Sequence, residues 1–109
     1  MTSDSFSSSL RAYRERGFFK EIKILRGIER ESLRVDKNGK ISQKNHPKNL
    51  GSPLTNIDIT TDFAEALVEL VTPTFESPEE LFDHLHLLHR FLYSELVDEM
   101  LWNFSMPCA

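Results

Sequence analysis

A sheet with a helix packed across it is the fold class that the sequence predicts, and three observations predict it. Residues 27–35 and 60–73 alternate as strands do. Asp36-Lys37-Asn38-Gly39 is a hairpin turn, because Asn-Gly tolerates positive φ. Residues 77–98 combine a capping signal with a leucine stripe at helical spacing.

The elements follow in chain order. Residues 2–9 are Ser-rich and read as loose, with a short helix at 9–16 closed by Gly17. Residues 22–35 read as one long strand, kinked at Gly27. After the 36–39 turn a short return strand is expected at 40–42. Residues 43–57 form a polar loop containing Pro47, Gly51 and Pro53. Residues 61–65 fit either a strand or a helix capped by Thr61. Residues 66–72 read as a strand, since Val68, Val71 and Thr72 are β-branched and Pro73 stops the run. Ser77 caps the helix, Pro78 occupies its first turn and Glu80 completes a capping box. Leu81, Leu85, Leu88, Leu92 and Leu96 form its apolar stripe, read as core against the sheet. Residues 101–106 read as a last strand, ending at Pro107. The chain thus divides into a tail with a short helix, 1–21, and a body, 22–109.

The two long strands place acids where apolar side chains are usual. Successive side chains alternate faces. Glu29 and Glu31 therefore share a face with Leu33 and Val35, and Glu65 and Glu69 share one with Phe63, Leu67 and Val71. Ala64, Ala66, Val68 and Leu70 make the other face of the second strand wholly apolar. A carboxylate held without a partner is costly. Two readings follow. Either a cation joins these acids, or Arg26, Arg30 or Arg34 neutralises them on a solvated face. Glutamates two residues apart on a strand, about 6.6 Å, can converge on one ion or hold two. An oxygen-only set favours Mg²⁺, Mn²⁺ or Ca²⁺ over zinc.

Composition narrows the class. The 109 residues suffice for one small domain or part of a larger one. The net charge of −4 arises from 13 basic and 17 acidic residues, an excess no larger than the five acids Glu29, Glu31, Asp62, Glu65 and Glu69. No basic stripe suggests nucleic acid. A single cysteine, Cys108, cannot close an internal disulfide and fits a reducing, cytoplasmic setting. No apolar run approaches the roughly 20 residues of a membrane span, and residues 1–9 lack the core of a signal peptide.

Other constellations carry less. His84 and His86 point about 200° apart on a helix, so they cannot share an ion, and His86 with His89 lacks further zinc ligands on that face. Cys108 has no neighbouring base to activate it and reads as a packed residue. Lys44, His46 and Lys48 suit either a phosphate contact or a solvated loop.

The motifs resemble a known family. The run Gly27-Ile28-Glu29-Arg30-Glu31-Ser32-Leu33-Arg34-Val35 resembles the opening strand of the proteobacterial glutamate–cysteine ligases. The likeness continues through His46-Pro47-Lys48-Asn49-Leu50-Gly51-Ser52-Pro53-Leu54-Thr55. It is strongest at Ile59-Thr60-Thr61-Asp62-Phe63-Ala64-Glu65-Ala66-Leu67, with Glu69 and Thr72-Pro73. It resumes at Leu88-His89-Arg90 and closes at Trp102 and Ser105-Met106-Pro107-Cys108. The blocks keep their order and spacing across residues 22–108. Asn45 stands where the family commonly has Gly before His-Pro, and residues 1–21 match weakly. The family is several times longer, so the resemblance is to its N-terminal part.

The resemblance implies an α+β fold of the glutamine-synthetase-like, carboxylate–amine ligase type. Its sheet is largely antiparallel, with helices on one face and metals on the other, and it is incomplete in this chain. It implies an ATP-dependent ligase joining the γ-carboxylate of L-glutamate to the amine of L-cysteine through an acyl phosphate, the first step toward glutathione. Glu29, Glu31, Glu69 and Asp62 become expected ligands of Mg²⁺ or Mn²⁺, with ATP as cosubstrate. Phe63 becomes a wall of the cysteine pocket, and Glu65 a further ligand or the partner of an arginine on the sheet. The later nucleotide-binding segments have no counterpart here. The chain alone is therefore expected to be inactive, with an unpaired strand edge that invites self-association. The alternative is a non-catalytic product or binding subunit of a broken or split ligase gene. A ligase of the same fold acting on another amine is a third reading.

Overall fold

The computed structural model describes residues 3–51, 57–61 and 64–109. Its strands are β1 (Glu29–Asp36), β2 (Ile59–Thr60), β3 (Leu67–Val71) and β4 (Glu99–Leu101). They pair antiparallel in one sheet of order β2-β3-β1-β4. Helices α1 (Ser3–Glu15) and α2 (Phe18–Glu21) precede it, and α3 (Pro78–Glu95) lies against it. The expected α+β architecture, antiparallel strands with a helix on one face, is therefore what the chain forms.

The core lies between α3 and the sheet. Leu88 and Leu92 of the helix stripe meet Val68 and Leu70 of β3, Ile59 of β2 and Leu101 of β4, with Leu50 closing one side. Leu85 and Leu96 pack at its margin. The helix begins where the sequence places it. The Ser77 hydroxyl accepts the Glu80 N–H at 3.4 Å. The same hydroxyl donates to the Glu79 carboxylate at 2.9 Å. That bond lowers the Glu79 pKa. The helix stops at Glu95 rather than 98, because Leu96 is extended and Asp98 adopts a positive φ of 58° that turns the chain into β4.

Strand β1 starts at Glu29, not at residue 22, for an identifiable reason. Proline has no N–H to give a ladder. Pro73 and Thr74 together oppose Gly27: Ile28 bonds across to Thr72, whereas Arg26 bridges Phe75, one residue out of step. This is a bulge. The Thr72 hydroxyl accepts the Ile28 N–H at 2.9 Å beside the break. Beyond it Ile22, Ile24 and Leu25 are exposed.

The other boundaries shift for similar local causes. The return strand of 40–42 reduces to a bridge between Val35 and Ile41. Ile41 instead donates its N–H to the Ala109 carbonyl at 2.7 Å. The hairpin turn itself is as expected, with Gly39 at φ 77° and the Asp36 carboxylate accepting the N–H groups of Asn38 and Lys40. β4 covers Glu99–Leu101 rather than 101–106, since the chain then curls until the Trp102 indole N–H reaches the Met106 carbonyl at 2.6 Å. Residues 3–9, expected to be loose, are part of α1. Phe6, Leu10 and Tyr13 lie at i, i+4 and i+7 there, a continuous stripe that the Ser content masks.

Candidate functional site

The register of β1 against β3 decides which acids meet. Glu29 lies opposite Val71, Glu31 opposite Glu69 and Leu33 opposite Leu67. Directly opposed residues share a face, and so do residues two apart on one strand. Glu29, Glu31 and Glu69 therefore stand on one face of the sheet. Thr60 of β2, opposite Glu69, stands there with them.

The pairing type sharpens this. Arg34 donates its N–H to the Ala66 carbonyl at 2.7 Å, and Thr72 to that of Ile28 at 2.9 Å. Even-numbered residues of β1 thus form the hydrogen-bonded pairs. The Glu31–Glu69 pair is the other kind, with Cα atoms only about 4.5 Å apart. Two carboxylates so placed repel each other. Glu29 and Glu31 are exposed and Glu69 is half-buried.

The arginines that would offset these acids are committed elsewhere. Arg30 binds the His89 Nε2 and the Asn103 side-chain oxygen. His89 Nδ1 donates to the Leu85 carbonyl at 2.8 Å, which leaves Nε2 as the acceptor for Arg30. Arg26 donates to the Glu76 carbonyl at 3.4 Å. Arg34 is fully buried and pairs with Glu99 at 2.6 Å. Among the described residues none of the three reaches Glu29, Glu31 or Glu69. Glu29 and Glu31 lie exposed to solvent, and none of these three arginines is the partner that neutralises them.

Glu65 leaves the row. It precedes β3, and its carboxylate accepts the His46 backbone N–H at 2.5 Å while its carbonyl accepts from Arg34 at 2.8 Å. Asp62 and Phe63 lie outside the described residues. His46, a loop residue by sequence, is buried with neither ring nitrogen hydrogen-bonded among the described residues. Burial lowers its pKa first and the Arg34 charge second, with Glu65 opposing both.

An open groove of about 330 Å³ adjoins Glu31, walled by Leu33, Leu67, Trp102, Phe104 and Met106. Trp102 and Phe104 meet edge to face at 5.0 Å. Sequence reading placed residues 101–106 on a strand and so missed this wall. The indole bond to Met106 that builds it has no local sequence signal.

The face suits a hard cation in chemistry more than in closure. Among the described residues no three His, Cys, Asp or Glu side chains form a group that could hold a metal ion. The acids form a row instead. Mg²⁺ needs no protein cage, since it keeps several waters and substrate phosphates and takes only one or two carboxylates. Glu31 and Glu69 place two carboxylates at one register position.

The glutamate–cysteine ligase family model matches residues 9–109. The chain belongs to that family. It is 52% identical over 85 residues to the glutamate–cysteine ligase of Pseudomonas putida, covering 78% of this chain and 16% of that protein. It is 52% identical over 86 residues to that of Saccharophagus degradans, covering 79% and 16%. The crystal structure of the Francisella tularensis glutamate–cysteine ligase in complex with AMP matches with a TM-score of 0.74 and 45% identity, over 76% of this chain and 17% of that one. A bifunctional glutathione synthetase from Pasteurella multocida matches at 0.71 and 36%, over 74% and 11%. The chain thus spans about one-sixth of the length of these ligases. No helix among the described residues is long and apolar enough to cross a membrane.

Proposed function

We propose that this chain provides the carboxylate wall of an ATP-dependent ligase that joins the γ-carboxylate of L-glutamate to the amine of L-cysteine through an acyl phosphate. Glu29, Glu31 and Glu69 hold Mg²⁺ or Mn²⁺, with Asp62 completing the set, and Phe63 lines the substrate pocket. The observation that carries this reading is the Glu31–Glu69 pair, two acids at the closest register of an antiparallel ladder. The AMP in the Francisella tularensis structure supports nucleotide use.

Each residue has a task that follows from its place. Glu31 and Glu69 face each other and present oxygens between the strands. Glu29 extends the row by one step along β1. The bound ion would offset their repulsion and the charge of ATP phosphates. Leu33 and Leu67 continue the same face without charge, so the row has a definite end. Arg30, facing away, binds His89 of α3 and so pins the segment between Glu29 and Glu31 to the helix. The setting is a reducing cytoplasm, and the partners are small molecules.

A chimera tests this. The 85 matched residues of the Pseudomonas putida ligase are replaced by those of this chain. The chimera should form γ-glutamylcysteine, and Glu69→Gln within it should weaken Mg²⁺-ATP use by on the order of 10–100-fold. A chimera that folds without ligase activity, or a Glu69→Gln chimera with unchanged Mg²⁺ dependence, sinks the reading. The 109-residue chain alone should give no product, because positioning and phosphate-binding groups must converge from several segments.

A further inference from the structure

The Glu31–Glu69 register is one that two acids would resist, so something must hold it. Sliding β3 by one residue would relieve the pair, and would also turn every β3 side chain to the opposite face. Four residues before Glu69, the chain is fastened. Arg34 sits three residues beyond Glu31 on β1, on the helix-facing side, with no exposed surface. One guanidinium nitrogen donates to both the Glu65 carbonyl at 2.8 Å and the Lys44 carbonyl at 2.9 Å. The other donates to the Glu99 carboxylate at 2.6 Å. The main chain of Arg34 repeats the pattern, donating to the Ala66 carbonyl and accepting from Ser42. The Glu65 carboxylate then holds the His46 N–H. Strand β1, the 42–46 loop, the entry to β3 and β4 thus meet on one side chain.

Packing alone does not call for this residue. A buried ion pair is often replaced by apolar side chains of similar volume without loss of stability, and its best-attested use is to fix registry. The planar fork of arginine reaches two carbonyls and a carboxylate together, which a lysine ammonium on a flexible stem does not.

We infer that Arg34 is the positioning residue that locks β3 in register, so that Glu69 faces Glu31 on the metal-binding face. The inference rests on the metal reading of that face, but concerns a residue that touches neither metal nor substrate. Losing such a lock should weaken metal binding by on the order of 10–100-fold, as removing the partners that orient metal ligands does.

Two variants of the 109-residue chain test it. Arg34→Lys keeps the charge beside Glu99 and loses the fork. The double variant Arg34→Met with Glu99→Leu removes both buried charges and keeps the volume. Mn²⁺ binding is followed by electron paramagnetic resonance, and the register by the nuclear Overhauser contact between the α-protons of residues 31 and 69. Both variants should keep the helical circular dichroism of α3, lose that contact and bind Mn²⁺ at least tenfold more weakly. A folded Arg34→Lys chain with the contact intact and Mn²⁺ affinity within twofold of the native chain overturns the lock. Unfolding of both variants overturns it too, since Arg34 would then serve folding rather than register. Absence of Mn²⁺ binding by the native chain sinks the metal reading instead, and the α-proton contact still decides the lock.

Discussion

On the helix-covered face of the sheet, the charged groups are bound to partners: Arg34 to Glu99 and two carbonyls, Arg30 to His89 and Asn103. On the other face, Glu29 and Glu31 make no hydrogen bond or salt bridge among the described residues, and Glu31 stands directly against Glu69. The two faces use the same strands and the same alternation. Covered charges fasten segments together, whereas the Glu31–Glu69 pair sets like charges directly against each other. A mutation on the first face should therefore weaken the fold, and one on the second should strengthen it.

The largest expected effect lies on the covered face. Arg34→Met alone leaves Glu99 buried, at 5% exposure, without its cation. Breaking one partner of a buried pair costs about 3–5 kcal/mol. Urea unfolding should show this loss. Equal midpoints for the native chain and the single variant would break the contrast. Leu92→Ala, at the centre of the same face and fully buried, should cost about 2–5 kcal/mol by the same measurement.

A smaller effect is tied to pH. His46 is buried beside Arg34, and its pKa is depressed. A depressed histidine means that the folded chain binds fewer protons than the unfolded one at and below the unfolded value of about 6.5. The contribution of the neutral ring is therefore complete above that value and is lost as the pH falls through the folded one. Unfolding midpoints taken from pH 8 to pH 5 should fall for the native chain and fall less for His46→Gln. An identical slope in the variant would remove the burial of His46 as the cause.

How much of this contrast the sequence carries depends on range. The shared face of Glu29 and Glu31 follows from alternation alone, and so does the apolar face of Ala66, Val68 and Leu70. The opposition of Glu31 and Glu69 needs the register, which depends on residues 38 positions apart. The early end of β1 comes from Pro73, a distant residue just beyond the end of β3, so the run Ile22–Ile24 reads as strand while no ladder is available to it. The role of Arg34 was invisible for the same reason: its acceptors at Lys44, Glu65 and Glu99 lie in three separate segments. In the sequence Arg34 shares its parity with Arg30 and Ser32, a polar set, and its place against Ala66 on the apolar side appears only once the register is known.

The smallest effect has the opposite sign and sharpens the comparison most. Glu31→Gln keeps the shape of the side chain and removes one of the two facing charges. Directly opposed like charges are destabilising, and cross-strand pairs are worth roughly 0.2–1 kcal/mol. The variant should therefore be more stable than the native chain by that amount in metal-free buffer with a chelator. Mg²⁺ should reverse the order, because a ligand that binds only the folded state stabilises it in proportion to its occupancy. The native chain should gain stability as Mg²⁺ rises, and the variant should gain little. Were the variant less stable than the native chain without metal, the acids would be contributing to the fold, and the row would belong with the fastened charges of the other face. Equal Mg²⁺ responses in both chains would mean that Glu31 holds no ion, and the strain at this register would need another explanation.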